Sequence, residues 1–167
     1  MNSSKRESGF TLIEVLTVII IIGILAAIAV PRFASSTVSA RQKSDVVTAH
    51  QVKTALDRYQ LDNGAYLTNT QLMVTDGAVI STKLIPKYIN KLDKGTTQQI
   101  AVGGGGKGFG VKALEVNPSD PTQFSIPNPL TGEITNVIMI YLSTNGLAAE
   151  VRAYDETLTM VLWTSAN

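Results

Sequence analysis

The sequence predicts an α+β protein in which a long N-terminal α-helix packs against a C-terminal antiparallel β-sheet. Three observations carry this prediction. Of the 21 residues from 10 to 30, 17 are apolar. Apolar residues then recur at three- and four-residue spacing as far as Tyr59, which is typical of an amphipathic helix. The last third of the chain alternates apolar and polar residues around turn residues, which is typical of strands.

Composition excludes several classes of function. The 167 residues contain 14 Lys and Arg against 13 Asp and Glu, and a net charge of +1 argues against a strongly basic nucleic-acid binder. The absence of Cys excludes disulfides, thiol nucleophiles and Cys-ligated metals, and a single His removes His-pair metal sites. We therefore predict no cofactor and no metal.

The apolar segment from residue 10 to 30 is long enough to cross a membrane. As a helix it spans about 31 Å, the thickness of the hydrocarbon core. Lys5 and Arg6 precede it and are expected to stay on the cytoplasmic side, so that the C-terminal part lies outside. A cleaved signal peptide is the alternative, with Ala27-Ile28-Ala29 as its cleavage motif. That reading predicts a soluble enzyme or binding module whose mature chain begins at Val30.

Two features weigh against the signal peptide. Its apolar core would be longer than the usual ~7–15 residues. Glu14 also lies inside the apolar run, where a carboxylate costs on the order of 2.5–3.5 kcal/mol at mid-membrane and less near the end. An acid in such a place usually has a function and a partner.

The residues Gly9-Phe10-Thr11-Leu12-Ile13-Glu14, followed by an apolar run and Pro31, resemble the class III leader of type IV pilins and pseudopilins. The stretch from Ala55 to Tyr66 is also similar to the end of the long helix in those proteins. The resemblance implies the pilin fold, and it implies no enzymatic activity.

The resemblance also implies a role for each residue of the motif. A membrane-embedded prepilin peptidase would cut between Gly9 and Phe10, where glycine lets a protease approach the backbone. The new N-terminus, Phe10, would be N-methylated and keep its positive charge. Glu14 would then pair with the Phe10 amine, in its own chain or in a neighbouring subunit, and so recruit and register subunits during assembly.

Gly23 and Pro31 bracket a weak part of the predicted helix. Glycine is a poor helix former, and proline removes a backbone donor and clashes one turn back. The resemblance implies that the stretch between them can melt and extend in a filament. For a monomer we prefer the alternative of a static kink at the membrane exit.

The second half of the helix is expected to lay one apolar stripe on a globular core. Ala49, Val52, Leu56 and Tyr59 form the stripe, and Gly64 is predicted to cap the helix in a left-handed conformation. His50 lies beside the stripe and is interpreted as a surface or boundary residue. The region that follows is predicted to connect helix and sheet, and its apolar patch at residues 84–89 either packs on neighbouring subunits or covers the core.

The rest of the chain is predicted to form an antiparallel meander of about four strands, with Asn145-Gly146 as a hairpin turn. Trp163 is expected in the core or as sheet cover. The candidate strands for this meander are Gln98–Val102, Gly108–Leu114, Val137–Ser143, Leu147–Tyr154 and Leu158–Thr164.

Other motifs are rejected. The glycines from Gly103 to Gly108 contain a Gly-x-Gly-x-x-Gly pattern, but a strand rather than a helix follows, so we predict a flexible hairpin tip and no nucleotide. The lone His comes without a nucleophile motif, which argues against hydrolase chemistry. Asp120, Asp155 and Glu156 are scattered and lack the alternating acids of a calcium loop.

The predicted protein is the Cys-free structural subunit of a type IV pilus, a helical homopolymer for adhesion, motility or DNA uptake. The alternative is a major pseudopilin of a type II secretion or competence system, which the absent acidic calcium loop weakens. Expected partners are other copies of the chain, the prepilin peptidase, the inner-membrane assembly platform and, before assembly, the lipid bilayer. We predict a single-pass inner-membrane precursor and an extracellular pilus. The expected divisions are a cleaved leader (1–9), a hydrophobic helix (10–30), an amphipathic helix (31–64), a connecting region (65–97) and a β-sheet (98–167).

Overall fold

The computed structural model describes residues 10–102, 106–117, 119–126 and 134–166. One long helix, α1, comes first, and a short 3-10 helix at Lys94–Thr96 follows later in the chain. The helix is Leu12–Asn63, and the strands are β1 (Met73–Thr75), β2 (Ala78–Ile80), β3 (Gly106–Ala113), β4 (Glu115–Asn117), β5 (Asp120–Ser125), β6 (Asn136–Leu142), β7 (Ala149–Tyr154) and β8 (Val161–Thr164). This confirms the predicted α+β class.

The chain divides into two compact units, the first ending at Ser39 and the second beginning at Ala40. In the first unit the described residues are helical from Leu12 onwards. In the second unit α1 continues to Asn63, and Gly64 follows with a φ of 78°. The N–H of Gly64 donates to the Gln60 carbonyl at 2.8 Å, so the predicted glycine cap is confirmed.

The predicted apolar stripe of α1 is the side that faces the core. Ala49, Val52 and Leu56 are each fully buried, and Tyr59 is half-buried against the same cluster. His50 is exposed, as expected, and its ring lies 4.0 Å from that of the half-buried Trp163, centroid to centroid. This contact places strand β8 beside the helix.

The main sheet has the strand order β3-β6-β7-β8 and is mixed rather than wholly antiparallel. Strands β6, β7 and β8 form the expected antiparallel meander, whereas β3 pairs parallel to β6 with Val111 opposite Ile140. A parallel neighbour requires a long crossover connection. The chain supplies it between residues 114 and 135, a stretch in which the sequence analysis predicted no strand.

That connection covers the second face of the sheet. Strands β4 and β5 pair as an antiparallel hairpin, with Val116 opposite Phe124. Phe124 packs with Met139 and Tyr141, while the neighbouring β6 residue Ile140 belongs to the core cluster on the α1 side. Strand β6 is therefore covered on both faces of the sheet, and each of its residues is buried.

The predicted strand from Gln98 to Val102 is absent, which corrects the sequence analysis. The backbone N–H groups of Gln98 and Gln99 donate to the Asp45 carboxylate, at 2.7 and 2.9 Å. The N–H of Val102 donates to the Glu156 carbonyl at 2.7 Å. Because these donors are already used, the segment runs as an irregular strap across the end of β7 instead of pairing in a sheet.

The glycine-rich stretch is not a hairpin tip where it can be described. Residues 103–105 lie outside the described residues, and Gly106–Gly110 belong to β3. Gly108 has a φ of 96°, and a Cβ there would stand 2.0 Å from the Gly77 carbonyl oxygen, in the turn of the unpredicted β1–β2 hairpin. The glycine therefore permits a close backbone contact between two strand pairs.

Candidate assembly site

Helix α1 begins with a capping box. The hydroxyl Oγ1 of Thr11 accepts a hydrogen bond from the Glu14 N–H at 3.3 Å. In return, Oε2 of Glu14 accepts from the Thr11 N–H at 2.8 Å and from the Thr11 hydroxyl at 2.7 Å. Such an exchange satisfies two donors that the first turn of a helix leaves without partners.

The capping box gives Glu14 a contact that the sequence analysis missed. The carboxylate lies on the same turn as Phe10 but bonds to Thr11, which is not among the predicted site residues. The pattern Thr-x-x-Glu before an apolar run is the sequence signature of a capping box, so the residues themselves carried this information.

The surface around Glu14 is apolar and exposed. Phe10 is 82% exposed, and an open groove of about 380 Å³ beside it is lined by Ile13, Glu14, Thr17 and Val18. Within the described residues, α1 is the one helix long and apolar enough to cross a membrane, and its most apolar window has a mean hydropathy of 2.9 and no buried residues. An exposed apolar surface of this size marks a membrane or a protein partner.

The remaining predicted site residues divide into two groups. Gly9 lies outside the described residues, so the predicted cleavage position has no geometry here. Gly23 and Pro31 both lie inside α1, and a Cβ at Gly23 would meet nothing within 4 Å. The open surroundings of Gly23 leave room for a neighbouring helix to approach closely.

The β7–β8 connection engages its acid, Asp155, within its own turn. The carboxylate of Asp155 accepts from the N–H groups of Thr159 and Met160, at 3.0 and 2.9 Å, and from the Thr157 hydroxyl. Burial acts to raise the pKa of Asp155, but these hydrogen bonds outweigh it and hold the pKa below its ordinary value. No group of three or more metal-ligating side chains occurs among the residues that the structure describes.

Comparison with known proteins connects this geometry to a family. Residues 4–30 match the model of the prokaryotic N-terminal methylation motif. The chain is 33% identical over 146 residues to the type II secretion system core protein G of Vibrio cholerae, covering 72% of this chain and 99% of that protein. It is 45% identical over 67 residues to core protein G of Aeromonas hydrophila, covering 40% of this chain and 47% of that protein.

A fimbrial protein is also similar. The chain is 34% identical over 87 residues to the fimbrial protein of Neisseria meningitidis serogroup A, covering 52% of this chain and 49% of that protein. No solved structure matches the chain with significance.

These matches and the exposed apolar helix define a structural protein of the prepilin class, whose N-terminal segment carries the prokaryotic methylation motif. The chain belongs to the type IV pilin-like family. It is a structural protein and not an enzyme, and the family implies processing by prepilin peptidase and self-polymerisation. The apolar helix suits anchoring in the inner membrane before assembly into a filament.

Proposed function

We propose that this chain is the major structural subunit of a type IV pilus. The chain is held in the inner membrane as a single-span precursor. The peptidase cuts between Gly9 and Phe10, and the new N-terminus is methylated. The assembly platform then extracts the chain into a helical homopolymer. The single observation that carries the proposal is the exposed apolar helix with one carboxylate, Glu14, in its first turn.

Glu14 drives polymerisation because its charge is poorly satisfied in the membrane. The capping box supplies two hydrogen bonds from Thr11 but no positive charge. A neighbouring subunit that presents its cleaved, methylated Phe10 amine offers the missing cation. An ion pair in a low-dielectric surrounding is favourable when both charges would otherwise lie unpaired.

Gly23 and Pro31 give the assembled helix a weak stretch. Glycine and proline lower the local cost of breaking helical hydrogen bonds, so this part melts first when the filament is stretched. The same stretch stays helical in the single chain, where α1 runs through both residues.

A surface pilus is supported by the similarity to a fimbrial protein and by the Asp155 loop, whose acid accepts hydrogen bonds from the loop's own donors. The filament would then serve adhesion, motility or DNA uptake. The second candidate is a major pseudopilin. The match to core protein G over 99% of that protein's length favours it.

Two measurements test the proposal and distinguish the pilus subunit from the pseudopilin. Filaments sheared from intact cells are purified, and the N-terminus of their subunit is sequenced. The pilus reading requires surface filaments made of this chain, beginning at a methylated Phe10. A chain that begins at Val30, or that never polymerises, contradicts membership of any filament. Loss of protein secretion on deletion, with no surface filaments in the parent strain, assigns the pseudopilin.

A further inference from the structure

The globular unit carries its positive and negative charges in separate parts of the chain. Residues 40–112 contain ten Lys and Arg against five Asp and Glu, a net charge of +5. Residues 113–167 contain one Arg against six Asp and Glu, a net charge of −5. The near neutrality of the whole chain therefore conceals two oppositely charged halves.

The basic half contains a groove beside α1. Its walls are formed by one side of the helix between Val47 and Arg58 and by the loop residues from Pro86 to Asn90, and its volume is about 450 Å³. A second cavity of about 450 Å³ lies next to it, and the two cavities share the lining residues Gln51, Ile89 and Asn90. We call the two together the α1 groove.

The α1 groove is lined by cations and by no carboxylate. Its charged lining residues are Arg58, Lys87 and Lys91. Lys87 and Lys91 have acidic neighbours outside the groove, with Nζ–Oδ2 distances of 3.7 Å to Asp62 and 2.7 Å to Asp93. The exposed Arg58 has no ion-pair partner among the described residues. An acidic, partly apolar partner fits such a surface.

The acidic half presents a surface of the opposite charge. The β4–β5 hairpin contains acidic residues and no Lys or Arg between residues 113 and 126. Glu115 is exposed, and the neighbouring Val116 is 38% exposed. The hairpin packs through Phe124 on Met139 and Tyr141, on the face of the sheet opposite to α1. Groove and hairpin therefore lie on opposite sides of one globular unit.

We propose that the α1 groove of one copy receives the β4–β5 hairpin of the next copy in the filament, with Arg58 facing Glu115. This inference rests on the proposed polymerisation. It adds the contact that fixes how the globular unit of one copy aligns with that of the next. Two different, complementary surfaces form a head-to-tail interface. Such an interface generates an open helical filament when the rotation from each copy to the next does not lead back to the first copy and close a ring. Charge complementarity fixes the register and suppresses like-to-like pairing.

Cysteine cross-linking tests the contact directly, because the natural chain contains no Cys. The full-length double variant Thr54→Cys, Val116→Cys is expressed in cells that build filaments from the wild-type chain, and sheared filaments are oxidised. We expect a ladder of covalent oligomers on non-reducing gels. The two single variants are the matched controls, and neither forms a ladder.

Charge reversal supplies an independent readout. Arg58→Glu or Glu115→Arg alone places like charges together, and we expect at least about a tenfold loss of sheared filaments, the equivalent of about 1.4 kcal/mol. The double reversal restores the yield. Lys83→Glu changes the net charge equally on an exposed residue outside the α1 groove, and leaves the yield within about twofold.

The outcomes separate this contact from the proposed function. Filaments that form normally but give no ladder, or a single-variant dimer in place of a ladder, overturn the contact alone. Failure of the double reversal to restore filaments overturns the Arg58–Glu115 pairing. Absence of filaments from the wild-type chain in every host overturns the proposed function and this inference with it.

Discussion

The carboxylate of Asp45 binds Gln99, a residue 54 positions further along the chain. Its Oδ2 accepts from the Gln99 backbone N–H at 2.9 Å and from the Gln99 side-chain amide at 3.1 Å, while Oδ1 accepts from the Gln98 N–H at 2.7 Å. Asp45 is fully buried and Gln99 almost so. A charged acceptor with three donors makes stronger hydrogen bonds than a neutral one, so this contact holds the strap against α1.

Asp45→Asn should destabilise the globular unit strongly. An amide offers one acceptor oxygen and turns its NH2 group toward a backbone donor, which leaves a buried donor without a partner. We expect a loss of about 3 kcal/mol in the free energy of unfolding. The measurement is thermal or denaturant unfolding of the full chain in detergent, followed by fluorescence of Trp163, the one tryptophan in the sequence.

Asp62→Asn is the matched control for Asp45→Asn. Asp62 also lies on α1, but it is exposed, and its ion pair with Lys87 spans 3.7 Å. Exposed pairs of this kind contribute about 0–1 kcal/mol. Equal losses for the two variants would show that burial of the Asp45 carboxylate does not matter.

Gly108→Ala should disrupt the contact between β3 and the β1–β2 hairpin. The added Cβ would stand 2.0 Å from the Gly77 carbonyl oxygen, and the φ of 96° disfavours any L side chain. We expect destabilisation by about 3 kcal/mol, measured by the same unfolding assay. In Gly106→Ala, on the same strand, the nearest atom lies at 3.7 Å, and we expect less than about 1 kcal/mol. If Gly108→Ala unfolds like the wild type, the backbone contact is absent.

Acid should weaken the β7–β8 connection through Asp155. The pKa of Asp155 is lower in the folded chain than the unfolded value of about 3.9, so its ionised form stabilises the fold. That contribution is complete above the unfolded pKa and is lost as the pH falls below about 4 toward the folded pKa. Unfolding midpoints between pH 6 and pH 2 should therefore fall less steeply for Asp155→Asn than for the wild type. Parallel curves would contradict a role for this carboxyl.

Two substitutions at the start of α1 separate helix capping from subunit assembly. Glutamine can replace glutamate in a capping box, so Glu14→Gln keeps the cap and removes the charge. We expect normal cleavage at Phe10 but at least about a tenfold loss of filaments, seen by electron microscopy of sheared material. Thr11→Ala removes the N-cap, at a cost of about 1 kcal/mol in helix stability, and should still polymerise. Abundant filaments from Glu14→Gln would refute the pairing of Glu14 with the Phe10 amine.

Short-range patterns in the sequence determined the elements that depend on near neighbours. The 3.6-residue spacing of Ala49, Val52 and Leu56 identified the buried face of α1, and Gly64 identified its end. The Asn145-Gly146 turn correctly joined two antiparallel strands, and Gly146 has a φ of 73°. Each of these features arises from residues within a few positions of one another, where backbone geometry and side-chain periodicity act directly.

Only the tertiary structure decided the features that join distant parts of the chain. The buried Asp45 took the backbone donors of residues 98 and 99 and so removed a predicted strand, and no local pattern announces an acceptor more than 50 residues away. The parallel pairing of β3 with β6 likewise depends on the crossover that carries the β4–β5 hairpin. The apolar segment from residue 10 to 30 and its one acid, Glu14, could therefore be identified from the sequence. The placement of charge on opposite sides of the globular unit, by contrast, required the fold. Propensity acts between neighbours along the chain, but pairing and burial are decided by competition among all donors and surfaces that the fold brings together.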